Sequence, residues 1–334
     1  KRESYGSGAV IGWEGYVITN HHVVGNGFRF LCRMYDGEVV EAELVGTDAL
    51  SDVAVLRLNL EQRKNPLPLA TASFGDSDRL RVGDPVFAMG SPGALSQSVT
   101  QGIVSNTRLI MPPRSGGGLS LDGEPVGTLV RWIAHDAQIF GGNSGGPLVN
   151  ADGEIIGINE IGIAGLGGAI PANLARQVAD QLIRRGTVHR AWIGIGFQPR
   201  LQEGAPDQGA LVGGVVAGSP ACAAGVKAGD HVLSIAGQGV DAVTDEHLTD
   251  INRLVFDLPV DREVPVVVLR AGTEQTLMMT PSERGRARGE DQEVRAWGMI
   301  VRDLSSLSAM ELKRPTTDGV QVISLRPGGP GSEA

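Results

Sequence analysis

At 334 residues the chain has room for two or three domains, each able to bury a core of its own. Its net charge of −9 gives a nucleic-acid role no electrostatic support, and no apolar run approaches the length of a membrane-spanning helix. Aromatic residues make up 4% while glycines number 48, a balance that favours short strands joined by many turns over long helices. The two cysteines, Cys32 and Cys222, fall in different expected domains without metal-ligand spacing. They are expected to be ordinary buried thiols and not a disulfide. The opening Lys1-Arg2-Glu3-Ser4 is not a signal peptide. It stands close to the first expected strand, as in a chain trimmed after export.

From residue 8 to about 173, short apolar runs alternate with turn signals, as at 39–40, 53–58, 86–89, 155–158 and 161–163. The pattern predicts a pair of antiparallel barrels. Within it, Thr19-Asn20-His21-His22-Val23-Val24 offers a histidine. His21 and His22 compete, because adjacent residues on a strand point to opposite faces. Asp52-Val53-Ala54-Val55-Leu56 sets an aspartate at the mouth of an apolar strand, with Asp48 as the nearby alternative. Residues 114–119, Arg-Ser-Gly-Gly-Gly-Leu, read as a flexible insertion between strands.

Gly142-Asn143-Ser144-Gly145-Gly146-Pro147-Leu148 then places one serine among small residues directly before an apolar segment. A serine hydroxyl is a poor nucleophile until a base takes its proton and donors hold the oxyanion that forms. Flanking glycines allow a tight turn that aims backbone N–H groups beside the hydroxyl. The order histidine, aspartate, serine is one of the known orders of a catalytic triad. After it, Asn173 is expected to cap a helix with an apolar stripe of Leu174, Val178, Leu182 and Ile183, ended by Arg184-Arg185-Gly186.

A second module runs over residues 190–284. It contains Trp192-Ile193-Gly194-Ile195, Gly214-Val215-Val216, Ser219-Pro220-Ala221 and Ala224-Gly225-Val226-Lys227-Ala228-Gly229-Asp230. Residues 285–293 form a charged linker with no apolar anchor. Trp297-Gly298-Met299-Ile300 then echoes Trp192-Ile193-Gly194-Ile195. Gly319-Val320-Gln321-Val322-Ile323 with Pro327-Gly328-Gly329-Pro330 echoes the run from 209 to 220, so a repeat begins.

Together these motifs resemble the HtrA/Deg-type serine endoproteases over nearly the whole chain. Gly6-Ser7-Gly8 with Val10-Ile11 resembles the family's opening strand, and Gly15-Tyr16-Val17-Ile18-Thr19-Asn20 its approach to the histidine. Gly75-Asp76-Ser77-Asp78 with Arg81-Val82-Gly83-Asp84 resembles its interbarrel link. Ser98-Val99-Thr100-Gln101-Gly102-Ile103-Val104-Ser105, Gly157-Ile158-Asn159 and Ala169-Ile170-Pro171 also match.

The resemblance implies a mainly β fold. A chymotrypsin-like double antiparallel β-barrel would occupy residues 1–187 and a first PDZ domain of mixed α+β content residues 190–284. The linker 285–293 would lead to the front part of a second PDZ domain at 294–334. The family's Thr-Asn-x-His-Val pattern selects His22 as general base. Its Asp-hydrophobic-Ala-hydrophobic-Leu pattern selects Asp52 to orient that base, leaving Asp48 as a turn or solvent residue. Ser144 would be the nucleophile, with oxyanion donors from the backbone of Gly142, Asn143 and Ser144. Asp136 would hold the loop ahead of the serine, where Phe140-Gly141 replaces the family's asparagine-proline pair.

In the family's shallow apolar specificity pocket, Asn159-Glu160-Ile161 departs from Asn-Thr-Ala, and Gly168 stands where a phenylalanine is usual. Glu160 is expected to face solvent, and a small aliphatic preference is carried over. In the family the insertion at 114–119 senses the PDZ domain and orders the oxyanion loop, so a partly inactive resting state is expected. Ile193, Gly194 and Ile195 would form the carboxylate loop and edge strand that bind C-terminal peptides, with Trp192 in the core.

The implied function is ATP-independent degradation of unfolded or misfolded proteins, without cofactor or metal. A homotrimer or higher multiple is expected, with Tyr5 at its contact, in the periplasm or otherwise exported. The alternative is a peptide-binding chaperone whose protease domain is locked.

Overall fold

The structure, a computed structural model, describes residues 4–25, 27–94, 97–110, 119–163, 165–200, 207–285, 289, 291–305, 308, 312, 314 and 317–333. Most of the expected insertion, residues 114–118, lies outside them.

Five strands open the chain: β1 (Ala9–Val10), β2 (Tyr16–Thr19), β3 (Phe30–Arg33), β4 (Val39–Asp48) and β5 (Val53–Leu58). They form an antiparallel sheet in the order β1-β2-β5-β4-β3. The apolar run of β5 is continuous because both of its faces are covered. Val53 and Val55 join a core shared with Ile18, Trp132, Ile158 and Leu182. Ala54, Leu56 and Leu58 alternate to the other side, against Val17, Val40 and Ala42.

Next come β6 (Pro85–Gly90), β7 (Ser98–Leu109), the hairpin β8 (Ser120–Leu121) and β9 (Glu124–Pro125), then β10 (Trp132–His135), β11 (Pro147–Val149), β12 (Ile155–Ile163) and β13 (Leu166–Pro171). Without the hairpin these strands close into a barrel in the order β10-β13-β12-β11-β6-β7.

The barrel chain leaves into a 14-residue helix, Ala172–Arg185. Its buried face carries Leu174, Val178 and Leu182, as the stripe predicts, together with Ala172, Ala175 and Ala179. Burying each of the large side chains contributes roughly 1.5–3 kcal/mol. Asn173 is not the cap. It lies inside the first turn, and its N–H donates to Ser77 Oγ at 3.1 Å while its Nδ2 donates to Asp76 Oδ1 at 2.8 Å. The acceptor-starved helix start is thus satisfied by the interbarrel link, almost a hundred residues away in sequence. Gly186, at φ +74°, ends the helix in the left-handed conformation.

The second module begins with β14 (Ala191–Trp192), paired to β21 (Ser282–Glu283). Its main sheet runs β15 (Ile195–Gln198), β16 (Ala210–Val215), β17 (His231–Ile235), β19 (Val264–Arg270), β20 (Thr273–Met279), with β18 (Gln238–Gly239) against β17. The helix Asp245–Phe256 packs Ile251 and Val255 into that module's core. A three-stranded sheet of β22 (Asp291–Val294), β23 (Met299–Asp303) and β24 (Val320–Leu325) follows. Gly298 at φ +63° repeats the backbone of Gly194 at φ +78°, and a helical turn from Pro330 repeats the one from Pro220. Cys32 is half-buried, and burial pushes its thiol up to about 11. Cys222 is exposed, against the expectation that both thiols are buried; its short helix turns it outward.

Charge pairs join the two modules. Arg190 donates to both carboxylate oxygens of Asp48 at 2.6 and 2.7 Å. Arg284 does the same to Glu124 of the hairpin at 2.9 and 2.6 Å. Asp250 of the helix Asp245–Phe256 meets Arg108 and Arg131, each at 3.0 Å. Asp48, the last residue of β4, is thus neither a turn residue nor a solvent one: it also accepts from the Ser51 N–H at 3.0 Å and from the Ser51 hydroxyl.

Burial pushes the Asp48 carboxyl up, yet the Arg190 charge and the hydrogen bonds from Arg190 and Ser51 outweigh it and hold the pKa below its ordinary value. Both side chains of this pair are nine-tenths buried. Arg190→Ala leaves the carboxylate unpaired and should cost about 3 kcal/mol in denaturant unfolding. A carboxylate whose folded pKa is lowered stabilises the fold above the ordinary value and ceases to do so as pH falls toward the folded one. The difference between Arg190→Ala and the parent should therefore shrink in acid.

Candidate active site

Asn20 follows β2 and stands at the N-cap of a single helical turn, His21–Val24. His21 and His22 are therefore about 100° apart around a helix, not on opposite faces of a strand. His21 is buried, with Nδ1 against Thr47 Oγ1 at 2.6 Å and Nε2 against Asp122 Oδ2 at 3.1 Å. His22 points instead to Asp52. Its Nδ1–H donates to Asp52 Oδ2 at 2.6 Å, and its backbone N–H donates to Asp52 Oδ1 at 2.9 Å. Asp52 is fully buried and sits at φ +54°, a left-handed conformation that a non-glycine residue adopts only under local constraint. The constraint is visible: its carbonyl accepts from Asn20 Nδ2 at 2.8 Å and from the His21 N–H at 3.1 Å. With Nδ1 protonated toward Asp52, Nε2 of the partly exposed His22 ring is left to accept a proton.

Ser144 lies in the glycine turn between β10 and β11. Gly142 takes φ +108°, and a Cβ there would collide with the Ser91 carbonyl oxygen. Gly145 takes φ +84°, and a Cβ there would collide with Thr19 Oγ1 and the Ser7 carbonyl. The opening strand ties the turn down. The Ser7 N–H donates to the Ser144 carbonyl at 2.8 Å and Ser7 Oγ to the Gly142 carbonyl at 2.7 Å. Among the described residues the N–H groups of Gly142 and Ser144 meet no acceptor. Asn143 differs from the expectation: its N–H closes a turn onto the Phe140 carbonyl at 3.0 Å and does not point to the oxyanion position. The Ser144 hydroxyl donates to the Glu160 carbonyl at 3.0 Å and not to His22. Asp136 holds the preceding loop, its Oδ1 accepting from the Ile103 N–H at 2.6 Å.

Glu160 does not face solvent. It is 4% exposed, and its Oε2 accepts from the indole N–H of the fully buried Trp132. The cause is a bulge in β12, where pairing with β13 passes from Asn159↔Ala169 to Ile161↔Gly168 and skips Glu160. A bulge re-aims the residue it leaves unpaired. Burial first, then the like charge of Asp52, raises the Glu160 carboxyl well above its ordinary range. The bond from Trp132 acts in the opposite direction. The one sequence signal was a charge inside the apolar run Ile158, Ile161, Ile163.

In the second module β15 pairs only with β16, so one edge of Ile195–Gln198 is unpaired among the described residues. Gly194 precedes it at φ +78°, where a Cβ would collide with the Ser219 side chain. Ile193 is a core residue, 1% exposed among Ala210, Val212 and Ala221, so its side chain is not offered to a peptide. Trp192, expected in the core, is only half-buried. Ile195 is half-buried on the edge strand.

Comparison with known proteins follows the same division. Residues 6–158 match the trypsin-like peptidase domain and residues 192–280 the PDZ domain. A protein of Halomonas elongata named "Probable periplasmic serine endoprotease DegP-like" is 36% identical over 353 aligned positions, covering 100% of this chain and 69% of that protein. One of the same name from Marinomonas sp. is 37% identical, covering 90% and 62%. Among solved structures, the HtrA-type protease AlgW with a tripeptide superposes with TM-score 0.71 at 33% identity, covering 85% of this chain and 90% of that one. The serine endoprotease from Yersinia pestis gives 0.63 at 32%, covering 84% and 89%. The relatives' names place them in the periplasm, in line with the exported location expected here. The chain belongs to the HtrA/Deg family of serine endoproteases and is a serine endopeptidase with a trypsin-like domain followed by a PDZ domain.

Proposed function

We propose that the chain degrades unfolded or misfolded proteins without ATP, with Ser144 as nucleophile, His22 as general base and Asp52 as orienting carboxylate. The observation that carries this reading is the His22–Asp52 pair, held by two hydrogen bonds beside the Ser144 turn. The Ser144 hydroxyl rotates from the Glu160 carbonyl to His22 Nε2, which takes its proton as Oγ attacks the peptide carbonyl. The N–H groups of Gly142 and Ser144 hold the oxyanion. His22 then passes the proton to the leaving amine, and water repeats the sequence to free the acid. The hydroxyl's bond to Glu160 supports a resting state that is not yet engaged.

The unpaired edge of β15 supports C-terminal peptide binding by strand addition, with Gly194 and Ile195 at the carboxylate end. Binding there raises the local concentration of substrate. Residues 1–187 form the protease domain, 190–284 the first PDZ domain, and 294–334 beyond the linker 285–293 the front part of a second. The repeated backbone at Gly194 and Gly298 supports that division. A homotrimer or higher multiple is proposed as the working form.

Incubation with an unfolded model protein, with and without a peptide ending in apolar residues, tests the reading. Fragments that appear faster with the peptide are expected. Binding of the unfolded chain without fragments would favour the chaperone.

A further inference from the structure

Glu160 touches both ends of the triad. Its backbone carbonyl accepts the Ser144 hydroxyl, and its buried carboxyl lies near enough to Asp52 to feel that carboxylate's charge. Asp52 is fully buried and receives both N–H groups of His22. Glu160 Oε2 receives the Trp132 indole N–H, whereas among the described residues the buried Oε1 meets no N–H or O–H donor. Two neighbouring carboxyl groups buried from bulk solvent, as Asp52 and Glu160 are, favour one shared proton, because burial penalises each charge and the two repel.

We propose that Glu160 is a protonated positioning residue, its Oε1–H donating to the Asp52 carboxylate and extending the triad to Ser144–His22–Asp52–Glu160. The inference rests on the triad assignment above. The oxygens of Asp52 have lone pairs left for a third bond, so the proton's place is Glu160. The desolvation that raises the Glu160 carboxyl agrees with this. Among the described residues the charged group acting on Glu160 is Asp52, itself bonded to His22, while Trp132, which donates to Glu160, is neutral. The donated bond fixes the orientation of Asp52 and draws off part of its charge. That lowers the proton affinity of His22 and keeps the base neutral, and so active, to lower pH.

Infrared difference spectroscopy at neutral pH tests the protonation directly. The comparison is Ser144→Ala against Ser144→Ala/Glu160→Gln. A protonated-carboxyl stretch in the first that vanishes in the second is expected. Its absence from the first, or its persistence in the second, overturns the proposal. The signal is read in a variant that cannot turn over, so it can fail while the triad stands; the triad fails separately, if Ser144→Ala still cuts.

Kinetics provide the second readout. A glutamine at 160 can donate its amide to Asp52 while accepting from Trp132, so Glu160→Gln should keep the acid limb of kcat/KM where it is. Glu160→Ala lacks the donor, and its limb should move up by about one pH unit. Equal profiles for Glu160→Ala and the parent overturn the positioning role, even where Glu160→Ala is less stable.

Discussion

Ser144→Ala should lower kcat by about six orders of magnitude, the loss seen when a hydrolase triad loses its nucleophile. The fold should not notice. The hydroxyl makes one hydrogen bond, to the Glu160 carbonyl, while the turn is held by the backbone of Ser144, the Ser7 hydroxyl and the glycines at 142 and 145. Thermal unfolding of parent and variant should therefore coincide within a few degrees, roughly 1 kcal/mol for one partly buried hydrogen bond. The variant should also bind unfolded protein and C-terminal peptides as the parent does, because the β15 edge lies in the other module. Cleavage of an unfolded substrate, followed by gel and mass spectrometry, reads the first effect, and titration with a labelled peptide the second.

Asp52→Asn should lower kcat by about four orders of magnitude with the geometry intact. Both carboxylate oxygens accept from His22, one from the ring and one from the backbone. An asparagine offers a single oxygen. If that oxygen keeps the backbone N–H, its amide donates to Nδ1 and fixes the tautomer with the proton on Nε2, which can no longer act as a base. If it keeps the ring, two N–H donors collide at the backbone. The local backbone does not oppose the change, since asparagine tolerates the φ +54° that Asp52 adopts. A large catalytic loss with little loss of stability is the expected signature. A fall of less than tenfold would mean that Asp52 does not set the tautomer.

Much of this was legible in the residues. Short motifs marked His22, Asp52 and Ser144 as candidates, and short apolar runs between turn signals marked the barrel strands. Helical spacing marked Leu174, Val178 and Leu182. The errors have one physical origin, which is that pairing register and remote partners are not written locally. Glu160 reads as a surface charge until a bulge turns it under Asp52. Asn173 reads as a cap until Ser77 supplies the acceptor from the interbarrel link. Ile193 and Trp192 exchange their expected environments because a single step in register decides which side chain faces the core. Asn143 is a donor by composition, but a turn onto Phe140 engages its N–H. Which donors remain for an oxyanion is a matter of backbone conformation, and no residue type encodes it.

Reaction with a fluorophosphonate, followed by peptide mapping, tests most directly whether Ser144 is a nucleophile activated by His22. The expected result is one adduct, on the peptide that carries Ser144, formed far more slowly in His22→Ala. An adduct on another residue, or none at Ser144 under conditions where the protein cuts an unfolded substrate, would contradict it.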